Sequence, residues 1–249
     1  MTMVKFGLDV FAILLVYIFQ TIFVTTICHA EDQFVRVNNN ELHACLSSSL
    51  PSSVETLYPC DTSTNQNTSQ YQCGHFTFGS LSSHHGGQIP HSPAVVVHVT
   101  DSSDVQNVVK CATQLNYTVN PSGGGHSYEG YGLGSTHNNI IINLAKMNYI
   151  NIDESDRTAR IGAGARLGPI YYRTYQSDQY TINGGTCVWV GIAGQALGGG
   201  AGYLSRLHGL LSDNVLEMKA VNAEGKYTLV SPLISNRNQR KQIKPMCFE

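Results

Sequence analysis

The sequence predicts an α+β fold, and three observations predict it. A strand, an amphipathic helix and a second strand follow one another between Pro93 and Asn120. Three further strand-like runs come later with one covering helix among them, and no repeat of fixed period runs through the chain. Pro93 opens Ala94 to Val99, a β-branched apolar run that reads as the first strand. Val105, Val108, Val109, Ala112 and Leu115 then recur at three- and four-residue steps, which places an amphipathic helix from about Ser102 to Asn116. Tyr117 to Asn120 reads as the next strand, and it leads into Pro121-Ser122-Gly123-Gly124-Gly125-His126-Ser127-Tyr128. Beyond that loop, Ile140 to Leu144, Thr158 to Gly162 and Val215 to Val221 read as strands, with a helix at Arg166 to Tyr175 that covers a sheet.

A length of 249 residues suits one domain or two small ones. Fifteen Lys and Arg stand against 17 acids, a net charge of −2, which argues against a nucleic-acid partner because such partners are met by a basic patch. Charged residues are 13% of the chain against about 25% in ordinary soluble domains. Ser, Thr, Asn, Gln and Gly fill the difference, and apolar residues at 42% leave enough for a core.

The first thirty residues read as a signal peptide. Lys5 supplies a positive start, Val10 to Phe19 is an unbroken apolar run, and Cys28 and Ala30 occupy the −3 and −1 positions of a cut after Ala30. The rival is a membrane anchor over Phe6 to Cys28, which Asp9, Gln20 and the threonines weaken. Secretion is therefore expected, with no stable membrane association. The mature chain would keep Cys45, Cys60, Cys73, Cys111, Cys187 and Cys247, an even number whose pairing counting alone leaves open. Asn67-Thr68-Ser69 and Asn116-Tyr117-Thr118 are glycosylation sequons in an exported chain. Residues 31–92 form an N-terminal segment and polar loop, in which His84, His85 and His91 read as solvated rather than metal-binding, so no metal site is expected. At the other end, 232–249 carries Arg237, Arg240, Lys241 and Lys244 without apolar period and reads as a basic irregular tail.

Two glycine-rich runs carry the chemistry. The first, Gly123 to Tyr128, offers main-chain amides to a ligand and holds His126. The second, Gly184 to Gly202, has eight glycines in nineteen residues and holds Cys187. Tight turns alone would explain one such run; two runs, each with one nucleophile, favour a flat or phosphate-bearing ligand lying on the main chain. Simpler motifs fail. Gly225-Lys226 is followed by Tyr227 rather than Ser or Thr, the turn Thr100-Asp101-Ser102 has no dinucleotide fingerprint, and Gly125-His126-Ser127-Tyr128-Glu129 lacks the last glycine of a serine-hydrolase elbow.

The first run with Gly132, and then Gly185-Thr186-Cys187-x-x-Val190-Gly191 with Gly198-Gly199-Gly200, resemble the FAD-binding domain of the berberine-bridge-enzyme-like flavoproteins. These belong to the wider vanillyl-alcohol-oxidase, PCMH-type group, and in texture the secreted fungal oligosaccharide oxidases are nearest. The resemblance covers about Glu41 to Ser231 and implies a PCMH-type FAD-binding domain of two α+β subdomains at 93–231, with the substrate domain missing. It implies FAD, bound by Ser122, Gly123, Gly124, Gly125, His126, Ser127, Tyr128, Gly132, Gly185, Thr186, Cys187, Val190, Gly191, Gly194, Gly198, Gly199, Gly200 and Val221. In that family the GGH histidine bonds the flavin 8α-methyl and the second-loop cysteine bonds C6, positions taken here by His126 and Cys187. An imidazole and a thiolate are also the two suitable nucleophiles of these loops; the plainer alternatives are a disulfide at Cys187 and a turn filled by His126.

The resemblance further implies an enzyme oxidising a CH–OH donor, such as the anomeric carbon of a sugar. Hydride would pass to flavin N5, and O2 would be the acceptor, giving H2O2; the other reading is a non-catalytic, truncated flavin-binding product. Val190 falls where the family places a small residue controlling oxygen access. Cys45 and Cys111 match the family's disulfide, which would leave Cys60 and Cys73 as a local pair. The chain departs from the family at Val188 and Trp189, where Pro and Ser or Thr are usual, and at Ser122, where a basic residue often stands. The substrate's catalytic base lies, by this resemblance, in a part that follows Val221-Asn222-Ala223 in family members and is not matched here.

Overall fold

Four strands and two helices build the first half of the domain around the β-α-β unit. The computed structural model describes residues 39–58, 93–128, 130–133, 138–230 and 246–248. The leader at 1–30, the Asn67 sequon, the Cys60–Cys73 pair and the histidines of the polar loop lie outside the described residues. Helix α1 (Asn39–Ser49) precedes strand β1 (Glu55–Leu57). Strand β2 (Val95–His98), helix α2 (Ser102–Gln114), strand β3 (Thr118–Ser122) and strand β4 (Asn139–Asn143) follow, within a residue or two of the expected bounds. Their sheet runs β1-β2-β4-β3, with β1 antiparallel to β2 and both β2 and β3 parallel to β4. Parallel strands covered by helices read as continuous apolar runs, and Val95, Val96, Val97, Ile140, Ile141 and Ile142 are all buried. Each such side chain contributes about 1.5–3 kcal/mol on burial.

Helix α2 begins where the sequence supplies a cap. The Asp101 carboxylate accepts from the amides of Ser103 (2.8 Å) and Asp104 (3.1 Å), and Asp104 reaches back to the Asp101 amide (3.3 Å), a reciprocal capping box. These donors hold the Asp101 carboxyl below its usual range, the Ser103 hydroxyl first among them. Helix α1 was not expected from the sequence; its Leu42 and Leu46 are buried, and Cys45 is disulfide-bonded to Cys111 of α2, as the resemblance implied. Asn116 of the second sequon sits at φ 58° where α2 ends, its side chain exposed.

The second half holds strands β5 (Ile150–Asp153) and β6 (Thr158–Ile161), helix α3 (Leu167–Asp178), two short helices α4 (Ile192–Leu197) and α5 (Ser205–His208), and strands β7 (Val215–Val221), β8 (Tyr227–Val230) and β9 (Met246–Phe248). Its sheet runs β5-β6-β9-β7-β8. Ile161, Leu167, Ile170, Ile192 and Leu211 are fully buried in its core. Strand β9 corrects the reading of 232–249 as wholly irregular: residues 246–248 pair in parallel with β6 and β7. Three apolar residues are too few to display a strand period, so their pairing depends on the slot between β6 and β7 rather than on a local pattern. The two halves meet through α2, where Gln106 donates to the Gly225 carbonyl (2.9 Å) and Thr113 to that of Ala223 (3.0 Å).

Candidate functional site

Two loops distant in sequence touch through their main chains. Strand β3 delivers the first loop at its C-terminal end, so Ser122 is still paired with Asn143 and buried while Gly123 begins the turn. The second loop runs back along the start of α3, where the Leu167 amide donates to the Val190 carbonyl (3.0 Å) and the Gly168 amide to that of Val188 (2.9 Å). The contact itself is between Gly124 and Gly191. A Cβ on Gly124 would collide with the Gly191 amide and lie 2.8 Å from its Cα, and a Cβ on Gly191 would collide with the Gly124 amide. Only glycine at both positions permits this approach.

Gly125 (φ 73°) turns the chain into His126. The imidazole is half-buried, and its Nε2 is buried with no hydrogen-bond partner. Burial first, and the Arg166 charge second, hold His126 below the usual imidazole value. Ser127 closes the loop from behind, accepting the Gly130 amide at its carbonyl (3.1 Å) and the Tyr131 amide at its hydroxyl (3.3 Å). Tyr128 is 82% exposed. Gly132 lies in a 3-10 turn behind the loop, against Pro121 and Ser122.

On the second loop, Cys187 is an exposed free thiol among the described residues. Its carbonyl accepts the Val190 amide (3.2 Å), making Cys187–Val190 one tight turn, with Val190 packed against the core. Thr186 is exposed beside it. Gly185 is held by the Tyr171 hydroxyl, which donates to its carbonyl (2.6 Å); burial pushes that phenol up to about 12. Gly191 is the N-cap of α4, and the position of Gly194 is open to space. Gly198, Gly199 and Gly200 end α4, the last with φ 75° and no room for a Cβ against Leu211. They shape the core more than the seam. Val221 stands at the end of β7, placed by pairing with Tyr227.

Sequence reading missed two residues here. Arg166 ends the Gly162–Ala165 connection between β6 and α3, forms a bridge with Gly191, and carries its guanidinium 5.6 Å from the centre of the Trp189 ring. Gln195 of α4 has a buried Oε1 without partner, and its amide nitrogen occupies the place a Gly185 side chain would take. The third small-residue run, Gly162-Ala163-Gly164-Ala165, was the available signal for Arg166. A lone polar residue in the apolar stretch Ile192–Leu197 was the signal for Gln195.

These features fit a flavin. Two buried polar atoms, His126 Nε2 and Gln195 Oε1, lack partners, and glycine leaves main chain bare on both sides of the seam. Helix α2 is capped by its own Asp101 and the first amides of α3 are taken by Val188 and Val190, so neither N-terminus is left for phosphate. Main-chain amides of the first loop stand at the seam as donors.

A family model described as FAD binding domain matches residues 93–231, more than half of the chain. Among curated relatives, a xylooligosaccharide oxidase of Thermothelomyces thermophilus is 33% identical over 58% of this chain and 29% of its own length. Berberine bridge enzyme-like 23 of Arabidopsis thaliana is 37% identical over 54% and 26%. Among solved structures, Physcomitrella patens BBE-like 1 superposes with a TM-score of 0.63 at 34% identity, covering 78% of this chain and 38% of that one. The matched part thus spans under a third of these curated relatives. With the two glycine loops in place and the family model laid over both, the chain belongs to the FAD binding domain family, alongside the berberine-bridge-enzyme-like oxidoreductases.

Proposed function

We propose that the chain holds FAD along the seam between its two glycine loops, joined covalently at His126 and Cys187, and serves the oxidation of an alcohol, the anomeric carbon of a sugar, with O2 as acceptor. The observation that carries this reading is the main-chain contact of Gly124 with Gly191, which joins the loop that holds His126 to the loop that holds Cys187. Bound flavin supplies the acceptor for the substrate's hydride. The chain's own residues bind and orient it. Gly123–Gly125 offer amides to the pyrophosphate, His126 and Cys187 fix the ring from two sides, and the Cys187–Val190 turn sets the sulfur. Val190 is the residue we assign to oxygen access, and no residue of this chain is assigned as the base for the substrate hydroxyl. The sugar substrate is supported by the likeness to a protein named a xylooligosaccharide oxidase. Export, with removal of residues 1–30, is proposed from the sequence of that segment.

Acid precipitation tests the reading directly: a pellet that stays yellow supports covalent FAD, and a colourless, folded protein that takes up no added flavin ends it. Peroxide release on a panel of sugars then tests the oxidase assignment. Flavin retained without turnover would instead support a flavin-binding chain without catalysis.

A further inference from the structure

The single tryptophan of the chain stands at the seam and is 59% exposed. Trp189 sits within the tight turn from Cys187 to Val190, and its carbonyl is 3.1 Å from where a Gly124 Cβ would be. The ring is backed from one side: the Arg166 guanidinium carbon lies 5.6 Å from its centre. Arg166 reaches that place because it pairs with Gly191 in an antiparallel bridge, and partners across such a bridge send their side chains to the same face. On that face a Gly191 Cβ would run into the Gly124 amide, so Arg166 leaves the backbone on the side where the first loop arrives. Arg166 is half-buried and has no carboxylate partner among the described residues to draw it off the indole. A rigid flat ring brings much contact area at small entropic cost, which is why tryptophan so often anchors a ligand.

We propose that Trp189 is the platform on which the sugar ring of the substrate stacks at the seam. This rests on the sugar reading above and names the residue that receives the ring. A pyranose carries hydroxyls at its rim and C–H bonds on its face, so the face packs on an indole while the rim keeps its hydrogen bonds. The cation–π contact with Arg166 holds the indole plane before the sugar arrives, so little freedom is lost on binding. Oxidation also requires the donor carbon to be held in one orientation against the acceptor. The turn that carries Trp189 is the one that carries Cys187, so whatever fixes the sulfur fixes the platform with it.

The test uses the full chain, in which all tryptophan emission comes from Trp189. Xylobiose should shift that emission to the blue, saturably, as the sugar face displaces water from the indole. Xylitol, which has the hydroxyls without the ring, should leave it in place. Calorimetry then follows xylobiose binding in two variants. Trp189→Ala should weaken it roughly five- to tenfold, while Trp189→Phe, which keeps an aromatic face, should weaken it about twofold. Emission moved equally by xylitol overturns the proposal, as does binding by Trp189→Ala that matches the unchanged chain. Trp189→Phe as weak as Trp189→Ala also overturns it, since the loss then has nothing to do with an aromatic face. The emission titration and Trp189→Phe decide the matter even if Trp189→Ala does not fold. Binding heat with no shift in emission overturns the platform and leaves the sugar reading standing, whereas neither heat nor shift ends both.

Discussion

At Gly124 an added methyl group would enter the space of the Gly191 amide, and the loops would have to part to admit it. Gly124→Ala should therefore lower stability by about 1–3 kcal/mol, the usual cost of overpacking, and reduce acid-stable flavin. A urea midpoint and the colour of the acid pellet read the two effects. His126→Ala and Cys187→Ala should each leave flavin attached through the other residue, and the double variant should hold none; denaturing mass analysis decides. The depressed His126 also predicts a pH dependence. The folded chain binds fewer protons there than the unfolded chain, whose imidazole titrates near the ordinary ~6.5. Its share of stability is present above that pH and is lost as pH falls toward the folded value. The urea midpoint measured between pH 5 and 7 should be flatter in His126→Asn. Sequence placed His126 and Cys187 because glycine-rich loops with one nucleophile each are local patterns. Arg166 was invisible as part of the site, since its neighbours Trp189 and Gly191 come to it only when the chain folds.

Among the elements, α2 does the most joining. Its Asp101 cap satisfies two amides that no turn of the helix can reach, so Asp101→Ala should cost about 1 kcal/mol, seen as a lowered denaturation midpoint. On its other flank the Cys45–Cys111 bridge closes 66 residues of chain. Replacing both cysteines by alanine should cost about 2–4 kcal/mol, read as a lower Tm under non-reducing conditions. The β-α-β unit was legible because β-branched runs and a three-four period survive in any context. Helix α1 was not, since HACLSSS lacks a clean apolar stripe and gains its order from α2 and the disulfide. Strand β9 was hidden for a related reason: its partners β6 and β7 lie far from it in sequence.

For the molecule as a whole, apolar side chains on the α4–α5 side remain in water. Leu197 is 73% exposed, Tyr203 87% and Leu207 76%, and large exposed apolar side chains promote association. Leu197→Ser with Leu207→Gln should raise the soluble fraction on centrifugation while changing stability by no more than roughly 0.5 kcal/mol each. The strut formed by Gln106 and Thr113 against the 222–226 turn has a wider consequence. It fastens the two sheets together through α2. A ligand laid along the seam therefore meets two sheets already braced against each other, and its grip depends on fit rather than on closure.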